Sequence, residues 1–479
     1  MTGLERIGHF IGGAVTGSED GATMLSVDPT SRAAWAEVAC GSAKDVDRAV
    51  VSAREAFDEG SWPRMAQDER SALLHRFADV LLSHADELAL LDTRDMGRPL
   101  ALTRANDVVR GAANLRFFAD DARSAADVSL PGHPHHHIYT RHEPVGVVAA
   151  ISPWNFPFMQ ATWKIAPALA HGNTVVLKPA EQSPASATRL AELAVLAGLP
   201  AGTLNVVHGF GPGGAGEALT SHHDVDLITF TGETRTGEAV MRAAADGVRA
   251  VSFELGGKGA SIIFADADID RAVSVAADAA FSNAGQICLA GSRLLVERSV
   301  YDQVVDVLVE KAEQLVIGDP QEPGTQIGPL SSEEHHAKVT GHLRRAAEEG
   351  AVLLTREAPG GWWVAPTVVT DAPAEATICR EEVFGPVITV HPFDTEEQAV
   401  QAANATPYGL SAMVFTSGLA RAHRVAARLR AGNVWVNCFW VRDLRSPFGG
   451  FGRSGIGREG GAYSREFFTE AKTVVMDVT

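Results

Sequence analysis

The sequence is poor in cysteine. Only four occur in 479 residues, Cys40, Cys288, Cys379 and Cys438, and no two form a C-x-x-C pair. Neither a zinc ribbon nor a disulfide framework is indicated, and a reducing cytoplasm is the expected compartment. Positive charge is also short: 41 Lys plus Arg stand against 59 Asp plus Glu, a net charge of −18. Such a surface repels phosphate backbones and anionic lipid, which argues against nucleic-acid and membrane partners. Long apolar runs are missing, and Met1 to Arg6 do not form a basic segment leading into one, so no targeting or membrane-spanning segment is expected. The absence of a short internal repeat excludes a solenoid. One histidine tract, His133-Pro134-His135-His136-His137, reads as an exposed loop, and no metal is expected.

What is present suits a packed enzyme. The chain is 46% hydrophobic and 21% charged, and its length allows about three domains at roughly 150 residues each. Apolar residues at helical spacing, among them Val46, Ala49, Val50 and Ala53, and then Leu73, Leu74, Phe77 and Leu81, predict helices across 44–90. The pattern breaks into short alternating pieces over 123–144. From 145 to 256, strand-like runs such as Val145 to Ile151, Thr174 to Leu177 and Val225 to Phe230 alternate with helical ones like Ala185 to Leu196. That alternation predicts a doubly wound parallel sheet, which takes ligands at the carboxyl ends of its strands. A second α/β rhythm follows over 257–453, with Ser261 to Phe264, Ser292 to Val296 and Val434 to Asn437 expected as buried strands.

Two glycine-rich stretches could meet a phosphate. Gly209, Gly211 and Gly214 satisfy G-x-G-x-x-G but include Pro212, and an ordinary glycine turn is the competing reading. Phe230 to Gly237 runs from a strand into hydroxyl residues ahead of a helix, either an anion site or a plain cap. A lone cysteine is usually an inert buried hydrophobe. Cys288 differs through its company. Glu254 lies on a glycine-rich turn upstream, and Asn155 sits between Pro153 and Pro157. The three supply a nucleophile, a base and an oxyanion donor.

These motifs resemble those of the NAD(P)-dependent aldehyde dehydrogenase superfamily. The resemblance runs through Pro153–Pro157, Leu177–Glu181, Gly232–Gly237, Glu254–Lys258, the Cys288 segment, Glu381–Pro386 and Pro447–Gly450, in the family's order. It implies an α/β fold with a Rossmann-type cofactor domain (1–122 and 145–256), an α/β catalytic domain (257–453) and a small oligomerisation β-extension (123–144 and 469–479). Within it, Cys288 is the nucleophile, Asn155 an oxyanion donor and Glu254 the general base. Glu459 is a second candidate base, with an ion pair to a neighbour such as Arg458 as the alternative. For the cofactor, NAD, the implied contacts are Trp154, Lys178, Glu181, Thr231, Gly232, Leu255, Glu382 and Phe384. A carboxylate at Glu181 accepts from ribose hydroxyls and repels a 2′-phosphate, which favours NAD over NADP.

The stretches Arg110 to Phe118 and Trp435 to Arg445 are similar to those of the 2-hydroxymuconic and 2-aminomuconic semialdehyde dehydrogenase branch. Substrates in that branch carry a carboxylate remote from the aldehyde. Arg110 and Arg445 are the expected clamp, with Phe448 beside them, and structural salt bridges are the competing role for each arginine. A small-molecule aldehyde is the expected partner, and a homodimer or homotetramer the expected assembly. Oxidation of a neutral aliphatic or aromatic aldehyde, acylation of coenzyme A, and a catalytically silent relative are the alternatives. Glu254 argues against acyl transfer to coenzyme A, and the joint presence of Asn155, Glu254 and Cys288 against silence.

Overall fold

The computed structural model describes residues 3–479. The strands Val147–Ile151 and Thr174–Lys178 are buried along their whole length, as continuous apolar runs between two helical layers require. They sit at the centre of an eight-stranded sheet. Its five parallel strands run, in spatial order, Ala250–Glu254, Leu227–Thr231, Val147–Ile151, Thr174–Lys178 and Leu204–Val206. The order reverses between Val147–Ile151 and Leu227–Thr231, so a crevice opens at their carboxyl ends. Those ends are continued by Ser152 to Asn155 on one side and, after Thr231, by Gly232 on the other. The glycine turn 209–214 follows Leu204–Val206 instead, two strands away from that crevice.

Chain entry into the helical layers is set by local chemistry. Pro157 occupies the first position of Pro157–Ala170, where its fixed φ and missing N–H suit a helix start. Asp92, on the helix Ala85–Met96, accepts from the Phe158 N–H at 3.1 Å, and Asp95 accepts from the Ala185 N–H at 2.9 Å. One helix thereby caps two others.

A seven-stranded sheet forms the second α/β unit, its parallel core made of Thr367–Thr370, Val387–Phe393, Arg293–Glu297, Ala260–Ile263, Ser411–Phe415 and Asn433–Val436. The buried strand expected over Val434 to Asn437 is found as Asn433–Val436 and is half-buried throughout. It is the edge of this sheet, paired only with Ser411–Phe415, and Trp435 lines the pocket described below. The chain then returns to the first sheet, where Gly455–Ile456 pairs antiparallel with Phe253 and Glu254. Glu5–Ile7, Ala33–Ala39 and Thr23–Asp28 form a small sheet near the start of the chain. In a further three-stranded sheet, called the third sheet below, His136–Pro144 is flanked by Ser129–Leu130 and by Thr469–Asp477, whose register runs from Thr469 opposite Pro144 to Asp477 opposite His136. The histidine tract expected as a loop is therefore half strand, with His136 and His137 in the ladder and exposed. Among the described residues no helix is long and apolar enough to cross a membrane.

Candidate active site

Cys288 lies in the connection between the helix Ile269–Phe281 and the strand Arg293–Glu297. Three residues before it in that connection, Asn283, Ala284 and Gly285, take positive φ values of 53°, 53° and 70°. For Asn283 and Ala284 this is strained backbone, a feature that clusters at functional sites. Side-chain hydrogen bonds hold it. Asn283 Nδ2 donates to the Asn155 carbonyl at 3.0 Å, Gln286 Nε2 to the Asn283 carbonyl at 3.0 Å, and the Ser331 N–H to Gln286 Oε1 at 3.0 Å. Asn155 Nδ2 in turn donates to the Gln286 carbonyl at 2.9 Å. One of the two Asn155 amide hydrogens is thus used to hold the Cys288 loop, and the second remains available.

A pocket opens on Cys288. Glu254, Glu459, Trp163, Phe448, Arg110 and Arg442 are among its walls. Burial pushes the Cys288 thiol up to about 12, and the carboxylates of Glu254 and Glu382 push it the same way, while the N–H groups of Cys288 and Leu289 pull it back. Glu254 is buried and neither of its carboxylate oxygens has a hydrogen-bond partner. Its carboxyl is held well above the usual range, first by burial and then by Glu459, against the cations of Lys164, Arg442 and Arg458. Gly449, at φ 153°, leaves room for it: a Cβ there would lie 2.9 Å from Glu254 Oε1.

Glu459 pairs with Lys164, not with Arg458. Lys164 Nζ lies 3.3 Å from Glu459 Oε1 and donates to Thr229 Oγ1 at 3.0 Å, and Trp163 Nε1 also donates to Glu459. The Arg458 guanidinium turns to the Gly450 and Gly457 carbonyls, at 3.1 and 2.6 Å. The sequence expectation of an Arg458 partner is corrected because adjacent residues at the bridge between Phe448 and Glu459 point in opposite directions.

The arginine expectation is corrected as well. Arg445 does not reach the pocket: it is 78% exposed and paired with Asp443 at 2.6 Å. Arg442 takes the inward position, its guanidinium 4.0 Å from the Trp163 ring centre and 3.9 Å from that of Phe448. Its Nε and Nη2 are buried without partners. Burial and the nearby Arg110 pull Arg442 down to about 10, with Glu459, Glu254 and Cys288 opposing. It stays cationic at neutral pH. Arg110 lines the same pocket and donates from Nε to Asn114 Oδ1 at 3.1 Å. Buried unpaired guanidinium N–H groups carry a desolvation cost that an incoming anion relieves.

The remaining predicted residues surround the sheet crevice. Lys178 is buried, its ammonium 2.9 Å from the Pro179 carbonyl and 3.4 Å from Glu181 Oε2. Glu382 accepts from the Gly257 N–H at 2.8 Å, and burial raises its carboxyl to about 7. Phe384 has a φ of 57° and meets the Trp154 ring edge-on at 5.4 Å. His335, which the sequence reading did not single out, donates to the Phe384 carbonyl at 2.7 Å and packs 4.9 Å from Trp154. Leu255 is buried, its N–H donating to the Ser454 carbonyl at 2.9 Å. Ser152 Oγ and Thr231 Oγ1, at the two strand ends that form the switch point, are buried without partners. Unsatisfied hydroxyls in that position fit a polar ligand such as a dinucleotide.

Architecture and site define an α/β enzyme with a thiol set beside a sheet crevice. The aldehyde dehydrogenase family model matches residues 15–474, and the chain belongs to that family. It is 47% identical to a 2-hydroxymuconic semialdehyde dehydrogenase from Pseudomonas sp. (strain CF600), over 98% of this chain and 99% of the relative. It is 43% identical to a mitochondrial benzaldehyde dehydrogenase from Antirrhinum majus, over 97% and 88% of the two chains. An NAD+ complex of an aldehyde dehydrogenase from Bacillus cereus superposes with a TM-score of 0.97 at 40% identity, covering 99% of this chain and 97% of that one.

Proposed function

We propose that this aldehyde dehydrogenase oxidises a carboxylate-bearing semialdehyde, such as 2-hydroxymuconic semialdehyde, to the corresponding acid with NAD as acceptor. The observation that carries the substrate class is Arg442, a buried guanidinium with two unpaired nitrogens in the wall of the Cys288 pocket. Arg110 beside it gives the anion a second cation. Aromatic walls from Phe156, Trp163, Trp435 and Trp440 suit a flat conjugated chain.

Cys288, once its thiol proton has passed to water, attacks the aldehyde carbon as thiolate. The developing oxyanion accepts from the free Asn155 amide hydrogen and from the Cys288 N–H, donors already oriented by the Gln286 network. NAD, when bound, supplies the acceptor for the hydride equivalent that converts the thiohemiacetal to a thioester. Lys178 and Glu181 would hold its adenosine ribose, Glu382 and Phe384 its nicotinamide ribose, and Trp154, Thr231, Gly232 and Leu255 would line the path between. Glu254 then takes a proton from water, which attacks the thioester and frees Cys288. A base with a raised pKa is better matched to that proton transfer than an ordinary carboxylate.

The first sheet serves the cofactor and the second carries the nucleophile, a division that follows the crevice and the Cys288 connection. The third sheet is the oligomerisation element. Its nine-residue strand Thr469–Asp477 has one open edge and exposes Val475 and Met476 at 57% and 46%. An open edge of that length is normally covered, and a second copy of the chain, in a homodimer or homotetramer, is the proposed cover. A nucleophilic thiol and three further unpaired cysteines fit a reducing cytoplasm.

Aromatic walls alone would serve a neutral aromatic aldehyde, the second reading. The test is NADH formation from 2-hydroxymuconic semialdehyde, benzaldehyde and acetaldehyde by wild type and Arg442→Ala. A preference for the carboxylated compound that Arg442→Ala abolishes is expected. A wild type that prefers benzaldehyde would exclude the carboxylate reading while leaving the Cys288 chemistry in place.

A further inference from the structure

Arg98 and Asp107 lie outside the pocket and take no part in the chemistry above. Arg98 Nε donates to Asp107 Oδ2 at 2.5 Å and Nη2 to Oδ1 at 3.2 Å, with the two side chains only 8% and 3% exposed. A buried ion pair is poor evidence of stabilisation, because desolvation offsets most of the attraction. What this one touches is more informative. The Arg98 guanidinium sits 4.8 Å from the centre of the Phe156 ring, which meets Trp440 edge-on at 5.7 Å on the pocket side. Both rings line the pocket.

Asp107 belongs to a π-helical segment, Thr103–Val108, that runs directly into the helix Val109–Ser124. A π turn inserts one residue into the α-helical count and so rotates everything after it by about 100°. Arg110 is the second residue of that helix and Asn114 lies one turn on; both face the pocket. The rotation imposed by the π segment decides which side chains the helix presents there. Thr103 Oγ1 bonds the Pro99 carbonyl at 3.2 Å at the start of the segment, and Arg98 clamps Asp107 near its end.

We propose that the Arg98–Asp107 ion pair is a positioning device for substrate selectivity, fixing both the Phe156 ring and the rotation of the helix that carries Arg110. Its Arg110 arm rests on the carboxylate reading above; its Phe156 arm does not. Asp107→Asn keeps the shape and removes the charge. Arg98→Lys keeps the charge and removes the two-pronged planar fork.

The experiment measures kcat/KM for a carboxylated semialdehyde, benzaldehyde and acetaldehyde in wild type and both variants, together with Tm. Ratios between substrates do not depend on the fraction of active enzyme, so a purely structural loss lowers Tm and total activity while leaving them unchanged. Expected is a fall of about tenfold in the carboxylated-to-acetaldehyde ratio, and a smaller fall in the benzaldehyde-to-acetaldehyde ratio, as displaced positioning groups produce. Both ratios unchanged in the variants would overturn the proposal. Should wild type show no preference for the carboxylated compound, the substrate reading fails, and the benzaldehyde-to-acetaldehyde ratio still decides the role of the ion pair. Should Asp107→Asn not fold, Arg98→Lys carries the same test.

Discussion

The Arg442 guanidinium lies 3.9 Å from the centre of the Phe448 ring. Phe448 is itself tied to Glu459 by two backbone hydrogen bonds of 2.7 and 2.8 Å. The cation proposed to read the substrate and the Glu459 carboxylate beside the proposed base therefore meet at one short bridge, the arginine through the Phe448 ring and the glutamate through its backbone. Changing the arginine should leave Glu459 in place, since side-chain stacking and not the backbone connects it to Phe448.

Arg442→Ala is expected to raise KM for a carboxylated semialdehyde by about 10- to 100-fold, the size of a lost charge-assisted hydrogen bond. Acetaldehyde kinetics should change little, and Arg445→Ala should leave both substrates unaffected because that side chain is spent on Asp443 at the surface. Steady-state kinetics on the two substrates check this. Equal losses on both from Arg442→Ala would make the residue structural.

Asn155→Ala removes the proposed oxyanion donor and one end of the hydrogen bond to the Gln286 carbonyl. A fall in kcat of about 10²–10³ is expected, with a smaller change in KM. Rates within a few-fold of wild type would show that the oxyanion lies elsewhere.

The pH dependence follows from the shifts of Cys288 and Glu254. With its thiol raised to about 12, Cys288 is almost wholly protonated at neutral pH, and only the thiolate reacts. Alkylation by iodoacetamide should therefore accelerate about tenfold per pH unit between about pH 6 and 9. Glu254 must be ionised to act as base, so hydrolysis-limited turnover should rise as pH climbs through its raised pKa and flatten above it. In Glu254→Gln, which is expected to form the thioester and hydrolyse it only slowly, that rise should vanish from the residual hydrolysis, and the pH dependence of thioester hydrolysis in the two proteins tests it.

Deleting residues 469–479 removes the strand that pairs along the whole of His136–Pro144. Sedimentation should show the assembled species replaced by monomer. An unchanged assembly would mean that this strand is merely the edge of its own chain's sheet.

Much of this was readable in the amino acids, for physical reasons that differ by element. Val147–Ile151 and Thr174–Lys178 are apolar without interruption because both faces of their sheet are covered. Cys288, Glu254 and Asn155 stand out as candidates because each lies in a short motif whose glycines or prolines fix the backbone. Arg442 was missed in favour of Arg445. Both lie in an irregular loop, where no periodicity separates inward from outward residues, and only the nearby Asp443 hinted that Arg445 had a local partner. Trp163 and Lys164 sit in a helix buried nearly all round, Pro157–Ala170, so no apolar stripe marks the side facing Glu459. The lysine was still a signal, since a cation inside such a helix needs a buried partner. The π segment before Arg110 left no trace in the hydrophobic pattern, which is why its effect on the helix emerged only from the structure.

The most direct test of the central claim is intact-protein and peptide mass spectrometry of Glu254→Gln after mixing with NAD and aldehyde. One equivalent of NADH should form rapidly, with an acyl group of the substrate's mass on the Cys288 peptide, held there because the proposed hydrolytic base is gone. Full turnover by Glu254→Gln with Cys288 unmodified, or an acyl group on Cys40, Cys379 or Cys438 instead, would contradict it.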